Sequence, residues 1–256
     1  MNETEIIAEI KEKLKEIEEK ENVTILFAVE SGSRAWGFAS PDSDFDVRFV
    51  YKQNDIDKYL RLEGIRDVIE WELDDVYDIS GWDLDKTLKL LHNSNPVIFE
   101  WVSSPIIYLE TPFLEKFREF MKPYFMTIKG AHHYLHMAQR NYEMYLTDDT
   151  VKLKKYFYVL RPILATRYVL KHHSNPPMLF EELVREELDD AVKEEVNRLL
   201  EDKKNTSELG TSHQIRILND YIEHELVFLD NEVNSLGKEE TSWEELNKLF
   251  LETIKQ

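Results

Sequence analysis

The sequence predicts an α+β chain, with a small mixed β-sheet domain over residues 1–108 followed by an all-helical domain over residues 109–256. Three observations predict it. In the first part, short β-rich apolar runs alternate with turn signals, and four of the five tryptophans and four of the seven glycines lie there. Beyond Phe113 the apolar residues recur at helical spacing over long segments. Pro105 and Pro112 punctuate the join between the two regimes.

Residues 5–20 place Ile6, Ile10, Leu14 and Ile17 three or four positions apart, which predicts an amphipathic helix with a charged outer face. The run VTILFAV over 23–29 is short, β-branched and apolar, a buried strand. Residues 30–43 form a turn-rich loop containing two glycines and Pro41. The stretch DFDVRFVY over 44–51 alternates strictly, so Phe45, Val47 and Phe49 point one way and Asp44, Asp46 and Arg48 the other. Residues 65–73 and 76–80 read as two strands joined by a tight acidic turn, and 84–91 begins a helix. From Phe113 onward the spacing predicts helices over 113–121, 128–146, 150–172, 179–186, 189–203, 212–235 and 242–254. There is no internal repeat or low-complexity tract.

Composition excludes several classes of function. With no cysteine among 256 residues there is no disulfide framework, no thiolate nucleophile and no Cys-ligated zinc or iron–sulfur site. That fits a reducing compartment, and the cytoplasm is expected. The first 20 residues are charged and amphipathic, unlike a secretory signal, and no segment reaches the roughly 20 apolar residues of a membrane helix, so no membrane association is expected. Acidic side chains outnumber basic ones 51 to 32, a net charge of −19. Broad binding of a phosphate backbone comes from Lys and Arg releasing counterions, so a polyanionic substrate here requires a local basic patch or metal ions.

The informative segment runs from Glu30 to Arg48. It places Gly32-Ser33 directly after a buried strand and, ten residues later, Asp44 and Asp46 on one face of the next strand, their Cα atoms roughly 6.6 Å apart. Carboxylates held that close, with Asp78 as a third if its strand pairs alongside, repel one another unless a cation compensates. Their oxygens suit hard divalent ions such as Mg²⁺, whose remaining ligands are substrate phosphates. Two such ions clamp the attacking and leaving oxygens of a phosphoryl or nucleotidyl displacement. Glycine permits positive φ and close backbone approach, so the N–H groups at Gly32 and the Ser33 hydroxyl are candidates to hold distal phosphates, with Arg34 adding a charge-assisted contact.

This order of strand, Gly-Ser, gap, Asp-x-Asp strand and later acidic strand resembles the nucleotidyltransferase fold of the DNA polymerase β superfamily. The strings GSRAWGFASPDSDFDVRFVY, YDISGWDLDKTLKLLHNSNPVIFEW and KKYFYVLRPILATRY occur in that order and span most of residues 23–170. They are similar to the nucleotidyltransferases associated with bacterial RNA-repair ligases. The resemblance implies a phosphate-binding turn at Gly32 and Ser33, paired metal ligands at Asp44 and Asp46, and a third carboxylate at Asp78 that joins the catalytic metal and helps deprotonate the attacking hydroxyl. Asp74, Asp75 and Asp83 compete for that third position. The implied reaction is Mg²⁺- or Mn²⁺-dependent transfer of a nucleoside monophosphate from a nucleoside triphosphate to a hydroxyl, releasing pyrophosphate, with an RNA end as the acceptor in RNA repair. Transfer to a protein side chain, transfer to a small molecule, and a non-catalytic nucleotide-binding or interaction module are the alternatives. Residues 171–256 carry no transferable motif.

Each feature also has a plainer reading. Asp44 and Asp46 fit a solvated strand face on which Arg48 balances the charge. Trp36, Gly37 and Phe38 fit a base-stacking platform, and the plainer reading is that Trp36 anchors the loop in the core while Gly37 lets it turn. Lys154, Tyr158 and Arg161 share a helix face and fit either a substrate contact or a half-buried stripe. His132 and His136 are an i, i+4 pair with no carboxylate to complete a metal site, so surface or satisfied core histidines are expected at 132, 133 and 136. Arg167 and His172 resemble an Arg…His ribonuclease signature, a spacing that also arises by chance. Residues 181–205 read as a solvated helical face.

Overall fold

A computed structural model describes residues 3–40, 43–74, 76–205 and 210–256. Pro41 and Asp75, singled out above, lie outside the described residues. The architecture is a mixed five-stranded sheet in the N-terminal part and a helical C-terminal region, as predicted. The elements up to the sheet's last strand are α1 (Glu3–Glu21), β1 (Val23–Glu30), the single turn α2 (Gly32–Ala35), β2 (Phe45–Gln53), β3 (Val68–Leu73), β4 (Tyr77–Asp83), α3 (Leu84–His92), α4 (Pro96–Val102) and β5 (Ile107–Leu109). They are followed by α5 (Pro112–Met121), α6 (Thr127–Tyr145), β6 (Thr150–Lys152), α7 (Lys155–His172), α8 (Phe180–Glu187), α9 (Asp190–Asn205), β7 (Thr211–His213), α10 (Arg216–Asn234) and α11 (Glu244–Ile254).

The chain forms two compact units that are discontinuous in sequence: residues 1–35, 44–124 and 241–256, and residues 36–43 and 125–240. In the first, the strand order is β3-β4-β2-β1-β5. The β2–β4 pair is parallel and the other pairs are antiparallel. Strict alternation on β2 buries Phe45, Val47 and Phe49 and leaves Asp46 and Arg48 half-buried on the opposite face. Ile10, Leu14 and Ile17 of α1 seal one side of this core. The register matters most for function, because the parallel pairing sets Asp46 opposite Asp78.

Two later helices join this unit. Phe117 of α5 meets Phe27 of β1, with ring centroids 6.5 Å apart. Around α11, Trp243 stacks on His92 at 3.6 Å, Phe250 meets Tyr59 edge-on at 5.2 Å, and Thr241 Oγ1 donates to the His92 carbonyl. Burial of aromatic area draws both helices onto the sheet unit although they follow residue 108.

The helical unit packs α6 against α7 around Tyr134, Leu135, Ala138, Phe157, Leu160 and Leu164. The loop at 36–43 belongs to it: Phe38 is buried between Phe157 and Phe180, and Phe180 N–H donates to the Trp36 carbonyl. The predicted helices at 150–172 and 212–235 each begin later, because Thr150–Lys152 and Thr211–His213 pair as a two-stranded sheet ahead of α7 and α10. Helix α4 was not predicted, although Asn95 caps its Val97 N–H and Pro96 occupies its first turn. Among the described residues no helix is long and apolar enough to cross a membrane.

Candidate active site

The site forms where β1 ends and β2 and β4 begin. The backbone closes first: Ser31 N–H donates to the Asp46 carbonyl at 2.8 Å, and Asp46 N–H donates to Glu30 Oε1 at 2.8 Å. Between these bonds the chain turns through Gly32 at φ +57°. A Cβ there would lie 1.9 Å from Asp46 Oδ2, so only glycine lets the turn rest against that carboxylate. Ser33 follows, half-buried. The geometry thus brings the Gly-Ser turn and Asp46 into direct contact.

Asp78 stands across the parallel ladder from Asp46, and Arg48 bridges the two. Its Nη2 lies 3.1 Å from Asp46 Oδ1 and 2.6 Å from Asp78 Oδ2, while Nη1 donates to the Asp78 and Val47 carbonyls. Burial pushes the Asp46 carboxyl up to about 6; Arg48 opposes that shift, and the neighbouring Asp44 and Asp78 charges reinforce it.

Asp44 is exposed and sits one residue before β2, so the predicted two-residue strand face holds for Asp46 and Arg48 and places Asp44 at its mouth. The Asp44 carbonyl accepts from Arg34 Nε at 3.0 Å, and the Arg34 guanidinium lies 3.7 Å over the Phe45 ring. Arg34 therefore braces the entry to β2. Of the competitors for the third carboxylate, Asp74 Oδ1 accepts from Val76 and Tyr77 N–H groups in the β3–β4 turn, bonds that pull its carboxyl below the usual range. Asp83 is fully buried, caps α3 through Asp85 N–H and accepts from the Tyr59 hydroxyl.

Sequence reasoning missed Glu30. It is fully buried, and it accepts from the Tyr108 hydroxyl as well as from Asp46 N–H, while Ser104 Oγ donates to its carbonyl. Burial pushes its carboxyl up to about 7 against these bonds. The available signal was a glutamate closing an otherwise apolar buried strand, since a charge in that setting needs partners. Glu30 fixes the position of Asp46 from beneath.

The remaining candidates lie in the helical unit. Trp36 is an anchor there: Tyr158 meets it edge-on at 6.2 Å and the buried Arg161 guanidinium lies 4.4 Å over its ring. Lys154 is half-buried at the start of α7. His132 and His136 lie 5.5 Å apart by ring centroid on α6, and His133 meets Tyr134 edge-on. Arg167 is shared by Asp189 at 3.2 Å and the buried Glu225 at 3.0 Å, whereas His172 stacks on Tyr168 and lies 3.3 Å from Glu187. His172, Glu186 and Glu187 have the spacing of a metal site, with Lys171 3.1 Å from Glu187.

Over residues 6–252 the sequence matches the RNA repair pathway DNA polymerase beta family. A protein of Bacillus subtilis (strain 168), named uncharacterized protein YcgL, is 43% identical over 248 residues, covering 96% of this chain and 95% of the relative.

Proposed function

The chain belongs to the RNA repair pathway DNA polymerase beta family, and from that premise we propose that it is a metal-dependent nucleotidyltransferase that moves a nucleoside monophosphate from a nucleoside triphosphate to the hydroxyl of an RNA end. The observation that carries this reading is the Asp46–Asp78 pair across the β2–β4 ladder, bridged by the Arg48 guanidinium and abutting Gly32. A guanidinium between two carboxylates marks a position that requires positive charge, and the all-oxygen donor set of Asp44, Asp46 and Asp78 fits Mg²⁺ or Mn²⁺. The sheet-bearing unit is then the nucleotidyltransferase domain and the other unit the helical domain.

Held by those three aspartates, the metal would supply Lewis-acid stabilisation of charge on the transferring phosphoryl group. The chain's own residues do the rest. The backbone at Gly32 and the Ser33 hydroxyl bind the β- and γ-phosphates, and Arg34 adds positive charge beside them while its Nε holds Asp44. Asp78 accepts the proton of the attacking hydroxyl. The hydroxyl oxygen forms a bond to the α-phosphorus, the α–β bridging bond breaks, and pyrophosphate leaves with the electron pair. Glu30 holds Asp46 in register throughout.

The net charge of −19 favours a second acceptor, a protein hydroxyl, since an acidic chain repels RNA. Incubation with Mg²⁺, each α-labelled nucleoside triphosphate, RNA and cytoplasmic protein separates these outcomes. Label on RNA with pyrophosphate release is expected. Label on protein supports AMP transfer to a side chain, and nucleotide binding without pyrophosphate release supports a nucleotide-binding module.

A further inference from the structure

The helical unit contains a stretch that reverses the charge balance of the chain. Residues 127–172 hold eight Lys and Arg against three acidic side chains, Glu143, Asp148 and Asp149, and four of the eight histidines, within a protein of net charge −19. Some cations of the unit are taken up by carboxylates: Arg198 by Glu195 and Asp202 and, at the far end of this stretch, Arg167 by Asp189 and Glu225 and Lys171 by Glu187. Arg140, Lys152 and Lys155 form no ion pair among the described residues.

Arg140 lines a shallow groove along α6, and Lys155 lies beside it. His133, Met137, Arg140 and Met144 follow one another at four-, three- and four-residue steps and His136 lies four residues before Arg140, which places them on one helix face, and Tyr145 ends the row. Lys155 extends it from α7, its Nζ 3.9 Å from the Tyr145 ring centroid and 4.7 Å from that of Tyr158. Asn141 Nδ2 donates to the Tyr158 carbonyl at 2.8 Å and ties the two helices together beneath the row. Met144 is 54% exposed.

Imidazole and phenol rings interleaved with a guanidinium and an ammonium match the two chemistries of single-stranded nucleic acid. Flat or soft side chains accept unstacked bases, and unpaired cations accept phosphates. A duplex presents its phosphates without its base faces and makes no use of the His, Met and Tyr side chains. We infer that this face of α6, with Lys155 beside it, grips single-stranded RNA independently of metal. The inference rests on the reading above in which RNA is the acceptor, and it supplies what a −19 chain otherwise lacks, a local patch that overcomes the repulsion.

The test is fluorescence anisotropy of a 5′-labelled, unstructured RNA oligonucleotide with the full chain in EDTA across a salt series. The double variant Arg140→Gln/Lys155→Gln is compared with Lys116→Gln/Lys248→Gln, which removes the same charge elsewhere. Each lost phosphate contact lowers the slope of log K against log salt by roughly 0.7, so the groove variant is expected to bind roughly 60-fold more weakly at about 50 mM salt and to lose roughly 1.4 from the slope. The control variant should bind as the wild type does, and equal thermal midpoints show that all three proteins are folded. No RNA binding by the wild type in EDTA, or equal binding by the groove variant, overturns the inference. Pyrophosphate release with Mg²⁺ and nucleoside triphosphate is read on the same proteins: its loss from the wild type counts against nucleotidyl transfer, whereas an unmoved RNA affinity in the groove variant counts only against the groove.

Discussion

Replacing Arg48 by methionine removes the guanidinium that lies 3.1 Å from Asp46 and 2.6 Å from Asp78 and leaves two carboxylates facing each other across the β2–β4 ladder. At a charge separation near 4 Å and an effective dielectric of about 20, each pair contributes about 4 kcal/mol of attraction. Desolvation offsets most of it. The three side chains are 16%, 22% and 29% exposed, between the surface and the interior cases, so the net loss in the metal-free protein is about 1–3 kcal/mol. In a chain of this length that lowers the thermal midpoint by roughly 3–10 °C. A divalent ion bound at the aspartates would replace the lost charge, and in the variant it would no longer compete with Arg48. Thermal unfolding in EDTA and then across a Mg²⁺ series should show a destabilised Arg48→Met protein, recovery of most of the loss with Mg²⁺, and a Mg²⁺ midpoint roughly tenfold below that of the wild type. A variant as stable as the wild type in EDTA, or Mg²⁺ without effect on either protein, would rule out this role for Arg48.

Two further outcomes follow from the same geometry. Gly32→Ala places a Cβ 1.9 Å from Asp46 Oδ2 at φ +57°, so transfer should fall at least about 100-fold while stability drops by only about 1–3 kcal/mol; unchanged steady-state transfer would contradict the close packing of turn and carboxylate. Burial pushes Asp83 from 3.8 up to about 6, so between those values the folded chain holds a proton that the unfolded chain has released, and stability falls as pH rises through that window by on the order of 2–3 kcal/mol. Urea unfolding at pH 4 and pH 7 should show Asp83→Asn gaining relative to the wild type as pH rises; a difference independent of pH would rule this out.

Much of the site was legible because it depends on local order. Alternation on β2 set Asp46 against the core residues Phe45 and Val47, and Gly32 after a buried strand signalled a tight turn. The pairing of Asp46 with Asp78 depended on whether β4 lay alongside β2, which a hairpin signal for β3 and β4 does not decide; the structure supplies that parallel neighbour. Arg48 was visible only as a balancing charge, since its bridge requires both strands. Other features are tertiary. The partners of Glu30, Tyr108 and Ser104, come from 74–78 residues later in the chain. No periodicity in 244–254 tells that α11 returns to the sheet unit through Trp243 and Phe250. Nor does the helical pattern after residue 150 show that Thr150–Lys152 finds a strand partner 61 positions away, with Thr211 opposite Lys152 and His213 opposite Thr150. At 36–38 the sequence fits a base-stacking platform or an anchor at Trp36, and the outcome depends on partners far along the chain: Phe38 gains more from the aromatic core of the helical unit than from solvent.

In the proposed reaction, carboxylates at Asp44, Asp46 and Asp78 hold the metal that makes the triphosphate reactive. The most direct measurement is pyrophosphate release, with transfer of label from an α-labelled nucleoside triphosphate to RNA, by the wild type and by Asp46→Asn at equal concentration in Mg²⁺. Asparagine keeps the size of the side chain and the backbone bond to Glu30 but removes the charge. Loss of both signals is expected in Asp46→Asn with the thermal midpoint in EDTA retained or raised, because a carboxyl that burial pushes up to about 6 is replaced by a neutral amide. Undiminished transfer by Asp46→Asn would contradict the proposed reaction.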